Sequence, residues 1–137
     1  MKKKMIIIGG GISGIYLSIL LKKYLDMDVV VLEANDKPLK KLLATGNGRC
    51  NLSNKDLDKA HYDGDIKPWV NDIIHDFDIV EALKDIGLYT KYMGNLLYPY
   101  SESAKAVETL FLNRAEEYGV KIICDEEVLS IKKSKHG

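Results

Sequence analysis

Near the start of this 137-residue chain, Gly9-Gly10-Gly11-Ile12-Ser13-Gly14 fits the spacing G-x-G-x-x-G. A turn of this kind can hold a pyrophosphate. Gly9 permits the tight turn, Gly11 lets phosphates approach the backbone, and Gly14 allows a helix to pack closely on a strand. The helix that begins here offers unpaired N–H groups and the positive end of its dipole. Glu33 follows about 20 residues further on, where a carboxylate can accept hydrogen bonds from ribose hydroxyls. A 2′-phosphate would be repelled there, so the pair points to a free 2′-hydroxyl, as in FAD or NAD. A methyltransferase-type nucleotide fold can share an acid and a glycine turn, yet the three-glycine spacing is less typical of it. A second unusual stretch, residues 39–54, reads LKKLLATGNGRCNLSN. It has too few apolar residues after Leu43 for a strand, and Gly46 and Gly48 argue against a helix.

These groups need a frame, and the surrounding sequence supplies one. Residues 4–8 form an isoleucine-rich run, as expected of a strand covered on both faces. Residues 15–24 read as a helix apolar nearly all round, hence buried against a sheet. Asp26-Met27-Asp28 connects it to residues 29–32, a second β-branched run that ends at Glu33. Residues 4–33 are thus expected to form a βαβ unit with parallel strands. Further on, apolar residues from Trp69 to Ile86 recur at helical spacing, and Gly87 sits where a helix terminates. Residues 88–93 and 96–98 can pair as a hairpin around Gly94-Asn95. Ser101 or Ser103 can cap a second amphipathic helix that ends at Gly119. Residues 120–124 read as a buried strand, and Val128, Leu129 and Ile131 begin another. The expected class is α/β: a Rossmann-like domain with a parallel sheet, a loop at 39–54, a helical and hairpin insertion at 69–118, and further strands at 120–131.

Composition narrows the function classes. Lys+Arg 20 balance Asp+Glu 20, which gives no electrostatic reason to expect nucleic acid or an anionic membrane as partner. The basic ends, Lys2-Lys3-Lys4 and Lys132-Lys133-Ser134-Lys135, read as solvated termini. Cys50 and Cys124 lie far apart and outside any CxxC spacing, which argues against a disulfide framework or structural zinc and fits a reducing cytosol. His61, His75 and His136 are equally scattered. Asp56, Asp58, Asp63 and Asp65 suggest a calcium loop but lack its ligand spacing and closing glutamate, so no metal is expected. Residues 5–21 carry no charge and follow three lysines, mimicking a signal peptide. They fall short of the roughly 20 apolar residues of a spanning helix, and glycines break them. A buried strand, turn and helix explains them better.

The longer pattern carries a resemblance. "IIIGGGISGIYLSILL" followed by "VVVLEANDKPLKKLLATGNGRCNLSN" resembles the N-terminal third of the BaiN/RdsA-type (YhiN-like) bacterial FAD-dependent oxidoreductases. Members show a loop K-L-L-x-[ST]-G-x-G-R-C-N, present here as Lys41, Leu42, Leu43, Thr45, Gly46, Gly48, Arg49, Cys50 and Asn51. "LLYPYSESAKAVETL" resembles a later family segment through Pro99, Ser101, Ser103 and Ala104. The resemblance implies bound FAD, NAD(P)H as electron donor, and reduction of a carbon–carbon double bond. Family substrates run from steroid-like acids to uracil in ribosomal RNA, so the substrate stays open. The turn Gly9, Gly10, Gly11, Ile12, Ser13 and Gly14 would hold the pyrophosphate, and Glu33, with Ala34 beside it, the adenosine ribose. Lys40, Lys41, Thr45, Gly46, Gly48, Arg49, Cys50 and Asn51 would run past the ribityl chain and the flavin. Val128 would contact adenine through its backbone. Family members are much longer, with a flavin domain completed after a substrate domain. The chain therefore reads as the N-terminal portion of a discontinuous FAD-binding domain, truncated, with the substrate domain absent.

On that reading Arg49 places positive charge near the flavin, where it can stabilise the anionic reduced form; a loop arginine paired with an acid or with phosphate is the alternative. Cys50 has no second cysteine nearby and reads as a small residue packing beside the flavin rather than a redox thiol. No catalytic acid or base is identified. Two functions stay open: an FAD-dependent reductase with a small-molecule cofactor and an unknown substrate, and a non-catalytic FAD- or ADP-binding remnant of such an enzyme. A third reading is a folded fragment with no ligand, left marginal by an open sheet edge and an incomplete core.

Overall fold

The β-branched runs near the N-terminus become strands, and the glycine turn between them opens a helix. The computed structural model describes residues 2–25, 27–57, 62 and 67–133. Its elements run β1 (Lys3–Ile8), α1 (Ile12–Tyr24), β2 (Met27–Leu32), β3 (Ser53–Asn54), α2 (Lys67–Asp76), α3 (Ile79–Asp85), β4 (Thr90–Met93), β5 (Leu96–Pro99), α4 (Ala104–Glu117) and β6 (Lys121–Ile123). A kinked 3-10 segment, Leu42–Gly48, lies between β2 and β3. The chain divides into two units, Met1–Leu43 with Glu108–Gly137, and Ala44–Val107.

The first unit is built on a parallel sheet in the order β1-β2-β6. β1 pairs with β2 from Lys3 opposite Met27 to Ile8 opposite Leu32, and β2 pairs with β6 from Val30 opposite Lys121 to Leu32 opposite Ile123. Helix α1 packs on both β1 and β2. It buries Ile15, Ser18 and Ile19, which share one face at helical spacing, while Ile7, Val29 and Val31 are buried on the strands. Ser18 can sit in this core because its hydroxyl donates to the Ile15 carbonyl at 2.6 Å. Tyr16 meets Phe111 of α4 edge-on, with ring centroids 6.2 Å apart. The end of α4 is set by Gly119, whose φ of +69° suits glycine.

This unit departs from three expectations. β1 is not covered on both faces: Ile6 and Ile8 are 56% and 53% exposed, because α1 covers only the side that carries Ile7. Nor is α1 buried all round, since Leu17 and Tyr24 are exposed. The strand expected at 128–131 does not form, and Leu129 and Ile131 are 85% and 79% exposed. A strand needs a ladder partner for its backbone groups, and none is present there among the described residues. The chain after β6 instead turns back, with the Asp125 and Glu126 N–H groups donating to the Asn35 and Glu33 carbonyls at 3.0 and 2.9 Å.

The second unit is built on an antiparallel sheet in the order β3-β5-β4. β4 and β5 form the hairpin, with Gly94 at φ +61° in its turn. The expected single helix over 69–86 is two, α2 and α3. Asp78 separates them: its side chain accepts from the Val80 and Glu81 N–H groups at 3.0 and 3.1 Å and starts the helix afresh. Leu83, Ile86, Leu88, Leu97 and Tyr98 are buried in this unit. Ser103 caps the start of α4 by accepting from the Ala106 N–H at 3.2 Å. Asp26, Asp58, His61, Asp63, Asp65, Ser134, Lys135 and His136 lie outside the described residues. Among the described residues no helix is long and apolar enough to cross a membrane, and no three side chains are grouped to hold a metal ion.

Candidate functional site

The glycine turn is shaped by three different demands. Gly9 takes φ +101°, a region that side chains avoid, and its N–H donates to the Leu32 carbonyl at 2.8 Å. Gly14 has no room for a side chain, since a Cβ there would lie 2.1 Å from the Gly9 carbonyl oxygen and 3.3 Å from Ile7 Cγ2. Gly11 is different. Its backbone is extended, and among the described residues a Cβ there would meet nothing within 4 Å beyond its own neighbours along the chain. Gly11 is also the N-cap of α1, with no side-chain cap and no acidic residue in the first turn. The first helical bond runs from the Ile15 N–H to the Gly11 carbonyl at 3.0 Å, so the N–H groups of Ile12, Ser13 and Gly14 precede it. Such an end can receive an anion.

Glu33, at the end of β2, is only 8% exposed, and its carboxylate is held from two sides. Oε2 accepts from the Gly10 N–H at 2.7 Å. Oε1 accepts from the Asn35 backbone N–H at 2.8 Å and the Asn35 side-chain amide at 2.5 Å. A Cβ on Gly10 would approach Glu33 Cβ, Glu33 Oε2 and Pro38 Cβ at 3.1 Å, so the close fit also explains the middle glycine. The backbone and side-chain donors of Asn35 hold the Glu33 carboxyl below its usual range against the opposing effect of burial, and Gly10 and Lys40 add to them. Lys40 itself pairs with Asp36. Because the folded state favours the ionised form, this stabilisation is present above the usual glutamate value of about 4.3 and is lost as pH falls through the lower folded value. Glu33→Gln is therefore expected to cost about 2 kcal/mol at pH 7 and less at pH 3. Urea midpoints at the two pH values check this; an equal loss at both would refute the charge-dependent part.

The loop that follows belongs to the second unit from Ala44 onward. Gly46 and Asn47 both take positive φ, and the Arg49 and Cys50 N–H groups close back on the Gly46 and Thr45 carbonyls at 3.1 Å each. Gly46 is demanded by packing, since a Cβ would lie 2.8 Å from the Asn51 nitrogen. Gly48 is demanded by its φ of +81° alone. The Asn51 side-chain amide donates to the Ser53 carbonyl at 3.3 Å. Cys50 is fully buried, and burial pushes its thiol up, only partly offset by a hydrogen bond with Thr45. A neutral, buried thiol is a poor nucleophile. The Arg49 guanidinium lies over the Tyr98 ring at 4.9 Å and 3.7 Å from Glu102 Oε2. Lys91 donates to the other oxygen of Glu102 at 2.5 Å, so two cations share one carboxylate; Lys91 first, then Arg49, hold it below its usual range.

The first unit thus gathers Gly9 to Gly14 with Glu33, and also carries Ala34, Lys40 and Lys41, all exposed, and Val128, half-buried. Thr45, Gly46, Gly48, Arg49, Cys50 and Asn51 lie in the second. An open cleft of about 380 Å³ in the second unit, flanked by Lys55, Phe77 and Tyr92, is lined by none of these. Sequence reasoning missed Asn35, Pro38, Lys91, Tyr98 and Glu102. Only Asn35 had a signal, being a short amide two residues past a strand-end acid, where such side chains bond to local groups.

A family model described as the HI0933-like protein Rossmann domain matches residues 3–137. The chain belongs to that family. Among curated relatives of this HI0933-like chain, the 3-dehydro-bile acid delta(4,6)-reductase of Clostridium scindens is 37% identical over 135 residues, covering 96% of this chain and 33% of the reductase. The ribosomal RNA dihydrouridine synthase of Haemophilus influenzae is 29% identical over 133 residues, covering 93% of this chain and 32% of the synthase. The chain spans about a third of the length of the curated relatives it matches. Solved structures share the fold: THI4 of Thermovibrio ammonificans, at TM-score 0.56 and 16% identity, covers 90% of this chain and 37% of its own. The p-nitrophenol 4-monooxygenase PnpA of Pseudomonas putida, at TM-score 0.50 and 14% identity, covers 98% and 34%. The HI0933-like assignment and these neighbours agree with the Rossmann-like parallel sheet expected from the sequence.

Proposed function

We propose that the chain is the ADP-holding portion of an FAD-dependent oxidoreductase that works in the cytosol and reduces a carbon–carbon double bond with electrons from NAD(P)H. The observation that carries this is Gly11. Packing within the chain does not explain its missing side chain, whereas a pyrophosphate seated at the uncapped start of α1 does. Glu33 fits the same group, since an ionised carboxylate at the end of β2 suits a ribose with its 2′-hydroxyl free. FAD, when bound, supplies the hydride chemistry. Ile12, Ser13 and Gly14 would direct their N–H groups at the pyrophosphate, Gly11 would leave the space for it, and Glu33 would orient the adenosine ribose. Val128 follows the turn that Asp125 and Glu126 tie to Asn35 and Glu33, which suits a backbone contact to adenine. Arg49 would supply positive charge for the flavin end, tempered by the carboxylate that it shares with Lys91. The relatives carry names of a bile acid and of ribosomal RNA, so the substrate class is left unassigned.

The test is direct. The purified chain is mixed with FAD and, separately, with ADP, and binding is followed by flavin fluorescence and calorimetry. Both are expected to bind; binding of neither would overturn the proposal. Bleaching of bound FAD by NADH or NADPH supports the catalytic part, whereas binding without bleaching by either leaves a non-catalytic FAD- or ADP-binding remnant.

A further inference from the structure

The two oxygens of Glu33 are unequally used. A carboxylate oxygen offers about two acceptor positions. Oε1 has both filled by Asn35, through its backbone N–H at 2.8 Å and its side-chain amide at 2.5 Å. Among the described residues Oε2 has one filled, by the Gly10 N–H at 2.7 Å. Asn35 is in turn fixed from behind, its carbonyl accepting from the Asp125 N–H at 3.0 Å, while Glu33 is tied to Ile123 and Glu126 through its own backbone. We infer that Asn35 is a positioning residue that clamps the Glu33 carboxylate against the glycine turn, leaving one acceptor position, on Oε2, to read the adenosine ribose. This rests on the proposed ADP-holding role of the turn. A carboxylate free to rotate would offer its oxygens in several orientations, whereas the clamp presents one. The charged and titratable neighbours are Lys40 and Asp36 on the segment after β2, and Cys124, Asp125 and Glu126 after β6. Of these, Lys40 favours the ionised Glu33 and would remain in an Asn35 variant.

ADP and 2′-deoxy-ADP are titrated into the wild-type chain, Asn35→Ala and Asn35→Ser by calorimetry between pH 4 and pH 8, with thermal melts alongside. Loss of the amide should weaken ADP by about tenfold, shrink the preference for ADP over 2′-deoxy-ADP, and move the pH at which affinity falls upward. Asn35→Ser keeps a short donor and should recover part of each effect. A role in folding alone would lower the melting temperature and weaken both nucleotides equally without moving the pH break; that result overturns the inference, as does an Asn35→Ala variant that behaves like wild type. A wild-type chain that binds no ADP removes the proposed function and the inference together. A wild-type chain that binds ADP, with unchanged variants, removes only the inference.

Discussion

Gly14→Ala is expected to lower the melting temperature by about 10 °C or more, or to abolish the cooperative transition altogether. The added methyl carbon would stand 2.1 Å from the Gly9 carbonyl oxygen. That oxygen is backbone and cannot swing aside like the end of a long side chain. Gly9 is itself pinned at φ +101° by its N–H bond to Leu32. Relief would require α1 to move away from β1, opening the contacts that bury Ile15, Ile19 and Ile7. Overpacking of this kind costs about 3 kcal/mol or more, a large share of a total stability of about 5–15 kcal/mol. The sign makes the test sharp, because an unobstructed glycine inside a helix gains about 1 kcal/mol on becoming alanine. A variant that melts within about 2 °C of wild type, followed by circular dichroism, would show that α1 does not approach the turn this closely.

Gly14 also marks what the sequence made legible. The spacing of Gly9, Gly11 and Gly14 assigned a separate task to each, and the backbone at Gly9 and the contacts at Gly14 carry those tasks out. The βαβ frame was readable because β-branched runs and a glycine break are local signals. A strand that needs a partner is not a local signal. Val128, Leu129 and Ile131 look like a strand by composition, yet strand formation depends on a neighbouring ladder that composition does not contain. The break between α2 and α3 was invisible to periodicity, since apolar residues keep their spacing through Phe77 and Val80. The signal lay in the cap, Asp78 with Glu81 three residues on.

The site shows the same division. Glu33 was readable as a strand-end carboxylate, but its partner Asn35 was not, because a clamp through one short side chain leaves no pattern along the chain. The loop from Thr45 to Asn51 was readable as glycine-bearing and polar. Its glycines turn out to answer local demands, a 2.8 Å approach at Gly46 and a φ of +81° at Gly48. Close passage of a cofactor is thus not needed to explain either one. Arg49 was readable as a cation that an acid could pair with, but not which acid, because Glu102 lies far along the sequence.

Gly11 is the residue for which no such local demand exists, and Gly11→Leu should separate folding from binding. Its φ of −72° and ψ of 178° suit any residue, and among the described residues nothing but its own chain neighbours lies within 4 Å of the position that a Cβ would take. Replacing a glycine N-cap with leucine costs about 1 kcal/mol or less, so the melting temperature should fall by only a few degrees. The leucine side chain would fill the space in front of the Ile12, Ser13 and Gly14 N–H groups, where the pyrophosphate is proposed to sit. ADP affinity should then fall by about 100-fold or more, as the helix end and the phosphates can no longer approach. Adenosine, which has the ribose but no phosphate, should lose far less. A Gly11→Leu chain that binds ADP like wild type would place the anion elsewhere. One that fails to fold would show that this glycine, like Gly14, is held by packing.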